Sequence, residues 1–76
     1  MTVIELEKEL EKIGVSKNLY SILEGGLPNE QLCLVKEDVW YVYYSERGRK
    51  TGLKSFEKES DACDYFYKKL KKYALI

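Results

Sequence analysis

Histidine is missing altogether from this chain. Its absence removes the commonest general base near neutral pH, the usual activator of a serine or cysteine nucleophile, and the commonest metal ligand. Cysteine is nearly as scarce: Cys33 and Cys63 stand thirty residues apart, a spacing that matches no zinc site. There is no Walker loop and no GxGxxG segment, so nucleotide cofactors lose their usual cradle. No run approaches the ~18 consecutive apolar residues of a membrane span. The opening MTVIELEKELEK lacks the uninterrupted apolar stretch of a secretory signal. The expected setting is therefore the reducing cytoplasm, with both cysteines as small core residues and no disulfide. Net charge is also missing, at zero, which gives no general attraction to nucleic acid or to anionic membranes.

These absences point away from catalysis and toward no metal and no cofactor. Carboxylate chemistry survives formally through Glu24, Glu30 or Glu46, since an acid pair can work a glycosidic bond. A chain of 76 residues rarely forms the deep pocket that such chemistry needs. The expectation is that the protein is not an enzyme.

What is present describes one small α+β domain spanning residues 1–76. Apolar residues make up 45% of the chain and charged ones 34%, a mixture that folds rather than one that stays disordered. A chain this short buries roughly 60% of its unfolded surface, enough for one core. The two halves differ in charge. Residues 1–38 carry four lysines against eight carboxylates, hence −4, and residues 39–76 carry nine basic residues against five acidic ones, hence +4.

Thr2 precedes Glu5 by three residues, the spacing of a capping box, and Val3, Leu6, Leu10 and Ile13 recur at helical intervals behind it. Gly14 supplies a left-handed stop, so the first helix is expected over residues 2–13. Leu19 to Leu23 reads as a short strand ended by Gly25-Gly26, with Pro28-Asn29 as a further turn signal. Gln31 to Lys36 is apolar on both parities, as in a strand covered on both faces. Val39 to Ser45 is the most strongly β-coded stretch, almost all β-branched or aromatic, and should be central. Arg47 to Gly52 reads as a basic turn before a weaker strand from Leu53 to Phe56. Ser60 is the expected N-cap of a last helix with Asp61 and Asp64 in its first turn and lysines toward its end. Its inward stripe would be Ala62, Cys63, Phe66, Tyr67, Leu70, Tyr73 and Ala74.

The order α-β-β-β-(β)-α packs most economically as two layers, an antiparallel three- to four-stranded meander with both helices on one face. The other face is then left to water. It displays either Val39, Tyr41 and Tyr43 or Trp40, Val42 and Tyr44, and the expected inward set is Trp40, Val42 and Tyr44. Tyr41 and Tyr43 beside Arg47, Arg49 and Lys50 have the composition of a binding hot spot. The lysines from Lys68 to Lys72 fit a solvated helix end and, alternatively, a nucleic-acid patch.

The stretch from Leu19 to Phe66 resembles small immunity proteins of bacterial polymorphic and contact-dependent toxin systems. The resemblance is carried by Leu19-Tyr20-Ser21-Ile22, by Gly26-Leu27-Pro28-Asn29-Glu30, by Trp40 to Tyr44 leading into Ser45-Glu46-Arg47-Gly48, and by Phe56 before the Ala62-Cys63 helix. It implies a cytoplasmic antitoxin-like protein that binds one cognate toxin domain, commonly a nuclease, and blocks its active site or substrate path. Tyr41 and Tyr43 would then be anchors, with Arg47 and Arg49 beside them. Glu46, Glu24 and Glu30, with the acid-rich first helix, would supply acid against a basic cleft. Two other readings stand beside it. The layout is similar to double-stranded RNA-binding domains, although Glu59, Ser60, Asp61 and Asp64 open the last helix where those domains place lysines. A domain that dimerises through its aromatic strand fits the same tyrosines.

Overall fold

The capping box forms as the spacing predicts. The Glu5 amide donates to the Thr2 hydroxyl at 3.2 Å and the Thr2 amide to the Glu5 carboxylate at 2.8 Å, starting helix α1 (Val3–Lys12). At its far end Gly14 takes φ +79°, the Gly14 amide donates to the Glu11 carbonyl, and the Val15 amide donates to the Leu10 carbonyl. This is a Schellman closure, with the buried Val15 supplying its apolar contact. The structure is a computed structural model and describes residues 1–74.

A 3-10 turn (Lys17–Leu19) leads into β1 (Tyr20–Ile22), followed by β2 (Gln31–Lys36), β3 (Trp40–Glu46), β4 (Arg49–Phe56) and helix α2 (Glu59–Ala74). The sheet runs in chain order β1-β2-β3-β4, and both helices pack on one face of it, the α+β layout that the sequence predicts. Leu6 and Leu10 of α1 meet Phe66 and Leu70 of α2 over Leu32, Leu34 and Val42. Trp40 and Tyr44 pack against this core, so the expected parity of β3 is the observed one. Full burial of each large apolar side chain here contributes about 1.5–3 kcal/mol.

Four features differ from expectation. First, β1 pairs with β2 in parallel, with Tyr20 opposite Leu32 and Ile22 opposite Leu34, whereas a meander would make it antiparallel. Parallel neighbours need a crossover, and the Leu23–Glu30 segment provides it without a helix. Second, the β3–β4 turn is only Arg47-Gly48, whose φ angles of 50° and 74° suit a tight hairpin between twisted strands. Strand β4 therefore begins at Arg49, and Gly52 belongs to a bulge rather than to the turn. Third, α2 starts at Glu59 and the Lys58 carbonyl accepts the first helical bond, from Ala62, so Ser60 lies inside the helix and not at its cap. The Glu59 carboxylate instead accepts from the Val3 amide at 2.9 Å and so serves the N-terminus of α1. Fourth, Tyr73 is 47% exposed, its ring against Tyr44 with centroids 4.9 Å apart. The side chain of Ala74 lies outside the described part.

Both cysteines are free and fully buried, on opposite sides of the sheet. Burial pushes the Cys63 thiol up to about 11 and also raises Cys33.

Candidate partner-binding face

The face away from the helices is half closed. Leu23 leaves β1 with a left-handed φ of 63°, while its amide donates to the Leu34 carbonyl at 2.7 Å. The Ser21 hydroxyl donates to the Glu24 carboxylate at 3.3 Å, and the Tyr43 hydroxyl donates to the Gly26 carbonyl at 2.8 Å. At the far end the Arg47 amide reaches the Asn29 side-chain oxygen at 3.5 Å. The loop thus crosses from β1 to the β3–β4 turn. Two tracts that carry the resemblance, Gly26 to Glu30 and Trp40 to Gly48, are hydrogen-bonded to each other through Tyr43 and Arg47.

One expectation falls here. Tyr43 is 1% exposed, packed with Cys33 and Val35, and is not an exposed anchor. The loop covers it, and Lys50 lies over its ring at 4.7 Å from the centroid. Burial, reinforced by the neighbouring Cys33, pushes its hydroxyl up to about 12. The phenol must stay protonated to donate to Gly26.

Tyr41 remains partly open. Its hydroxyl donates to the Asp38 carboxylate at 3.1 Å, which raises the Tyr41 pKa. The Asp38 carboxyl is lowered, first by the Val39 amide and then by Tyr41. Tyr41 lines a depression of about 200 Å³ with Val35, Glu37, Lys50 and Leu53. The sequence gives no hint of Leu53 as a surface residue, yet it is 54% exposed. Its placement follows from the bulge. Val42 pairs with Lys54 but Tyr44 pairs with Thr51, so Gly52 and Leu53 together oppose Tyr43. The extra residue reverses the alternation along β4, and Lys50, which shares even parity with Lys54, swings to the opposite face. Gly52, which takes φ 61° here, is the sequence signal for the bulge once Arg47-Gly48 is read as sufficient for the hairpin turn.

The remaining candidates fall in two other places. Glu46, Arg47 and Arg49 line a depression of about 340 Å³ at the hairpin turn, adjoining the loop through Asn29. Glu24 lies at the opposite edge, in a depression of about 200 Å³ with Glu7, Glu11, Lys17, Tyr20 and Ile22. There burial, then Glu11 and Glu7, raises the Tyr20 hydroxyl. Glu30 ends the loop with a left-handed φ of 55° and is exposed. The turn therefore brings Glu46, Arg47 and Arg49 together, Tyr41 lies in a different depression on the same pair of strands, and Glu24 stands apart from both.

Among the described residues no group of three or more acidic or cysteine side chains is arranged to hold a metal ion. No described helix is long and apolar enough to cross a membrane. Strand β3 is paired on both sides, so edge-to-edge dimerisation cannot run through it. No protein-family model, curated protein or solved structure matches this chain.

Proposed function

We propose that this protein is a non-catalytic binding module, most concretely an immunity protein that holds and neutralises a cognate bacterial toxin domain in the cytoplasm. The observation that carries the reading is the preformed β3–β4 half-face. Tyr41, hydrogen-bonded to Asp38, and an exposed Leu53 border a shallow depression with Lys50 and Glu37, and Glu46, Arg47 and Arg49 line a second depression at the hairpin turn. A rigid ring and an apolar side chain rimmed by charge is the composition of an interface hot spot. A depression of about 200 Å³ is smaller than the usual small-molecule site, which favours a macromolecular partner. The resemblance of the loop and strand tracts supplies the partner class, commonly a nuclease blocked at its active site or substrate path. Against the RNA-binding alternative stand Glu59 and Asp61 in the first turn of α2.

The test is rescue. The first step is to find whether a neighbouring reading frame encodes a toxin domain, and cells expressing that domain should survive when the protein is co-expressed. Tyr41→Ala combined with Glu46→Ala should abolish rescue with the fold intact by circular dichroism, because losing a hot spot costs about 2 kcal/mol or more. Full rescue by the double variant would move the docking surface elsewhere, and absence of any rescue would remove the immunity reading.

A further inference from the structure

Strand β4 is the long free edge of the sheet. It runs for eight residues, pairs among the described residues only with β3, and is exposed from Arg49 to Ser55, while the opposite edge, β1, has three residues. An edge strand presents a row of unpaired amides and carbonyls to any chain that can adopt the extended form. The side chains of β4 decide which chain that is. They include Arg49, Lys50 and Lys54 and no carboxylate.

The bulge distributes these charges over both sides of the edge. Lys50 lies on the loop side, above Tyr43 at 4.7 Å. Lys54 lies on the helix side, 5.7 Å from the Tyr65 ring centroid, where Lys69 stands at the same distance. A strand added to β4 sends alternate side chains to the two faces, so it meets ammonium groups on each. The one acid opposite this row is Glu46, which is in register with Arg49 at the turn and leaves Lys50 and Lys54 uncompensated within the sheet.

From this arrangement we infer that β4 is a strand-addition site for an extended, acidic segment of the partner protein. The inference rests on the reading of the chain as a protein-binding module and names the chemistry of what it holds. A second copy is the wrong occupant. Two β4 strands side by side would set like charges against each other, which destabilises a sheet. The other free edge of a second copy, β1, offers only three residues, none of them acidic, to pair with eight. An acidic segment satisfies the backbone and the lysines together, and Leu53 with Tyr41 gives its apolar side chains a seat on the loop side.

The probe is a short β-prone peptide of threonine, valine and glutamate with glutamates on both parities. Its controls are the same peptide with lysine for glutamate, and the acidic peptide N-methylated at consecutive amides, so that both of its edges are blocked. The acidic peptide should slow hydrogen exchange along β4 and shift its amide resonances. Lys50→Glu with Lys54→Glu should weaken binding about tenfold. Lys50→Met with Lys54→Met, which keeps the stems, should fall between. N-methylation, which blocks pairing but keeps charge, should abolish binding. Equal binding of the lysine peptide, undiminished binding of the N-methylated one, or no change at β4 would overturn the inference. Self-association that protects β4 in sedimentation and exchange would overturn it in favour of a second copy. Rescue from the toxin that survives while β4 ignores the peptide sinks this inference alone. Peptide capture at β4 without any rescue sinks only the immunity reading.

Discussion

The helix side of the sheet and the loop side are closed by different means. Under the helices, Leu6, Leu10, Phe66 and Leu70 bury apolar area against Leu32, Leu34 and Val42, a force that is nondirectional and large in sum. Under the Leu23–Glu30 loop, closure rests on single hydrogen bonds from Leu23, Ser21, Tyr43 and Arg47 and on left-handed backbone at Leu23 and Glu30. It extends over part of that face and leaves Tyr41 and Leu53 outside. The contrast separates two tasks: the first side holds the fold together, and the second presents a surface whose local opening costs less than global unfolding.

The sharpest way to break that division is Phe66→Ala. Phe66 is fully buried at the centre of the helix-side core, and truncation should cost about 3–5 kcal/mol. A domain with about 5–15 kcal/mol in total loses much of its stability, read as a large fall in the urea midpoint. A cost below about 1 kcal/mol would mean that the helix side is not where stability resides.

The loop side has its own signature, and it is alkaline. Tyr43 ionises near 12 in the folded protein against 10.0 for the unfolded reference. The folded state therefore keeps a proton that the unfolded chain has released, and its contribution is complete below pH 10 and drains away from 10 to 12. The loss is on the order of 2 kcal/mol. Tyr20, Tyr41 and Tyr44 are raised as well, so the difference between the wild-type profile and that of Tyr43→Phe isolates the one residue. Coincident slopes above pH 10 would show that the loop does not hold Tyr43 closed.

A third comparison sets helix capping against both faces. Gly14→Ala places a methyl group where no atom lies within 4 Å, so only the left-handed backbone resists it. The expected cost is about 1–2 kcal/mol by chemical denaturation. An unchanged midpoint would show that the Schellman closure of α1 contributes nothing.

Much of the helix side was legible because its signals are local. Thr2 with Glu5, Gly14, and the periodic Leu6 and Leu10 specify α1 within a few residues, and the run from Trp40 to Tyr44 admits little besides a strand. The loop side was not, because its determinants join residues far apart in the chain. That Tyr43 is buried depends on Gly26, and Gly26 reaches it only because β1 runs parallel to β2. Nothing local in Tyr20–Ile22 encodes that direction. The edge of β4 was misread for a related reason, since Gly52 signals a turn and a bulge equally well, and only the Arg47-Gly48 pair, already sufficient for the hairpin, decides between them. The candidate site divided accordingly. Glu46, Arg47 and Arg49 fall together because they flank one turn, Tyr41 lies in a separate depression farther along β3, and Glu24 belongs to the far edge.

The finest test lies at that hairpin, where stability and binding should part. Arg47 holds φ 50° beside Gly48 at 74°, a conformation that asparagine adopts more readily than arginine. Arg47→Asn should therefore raise stability by about 0.5 kcal/mol, since asparagine followed by glycine is the preferred pair for such a turn. The backbone amide that donates to Asn29 is retained, so the loop stays tied. Affinity for the proposed partner should fall with the loss of the guanidinium at the depression shared with Glu46 and Arg49. A variant that is both steadier and fully competent in rescue would show that the turn serves the fold alone, and would shift the binding role along β4 toward Lys50 and Leu53.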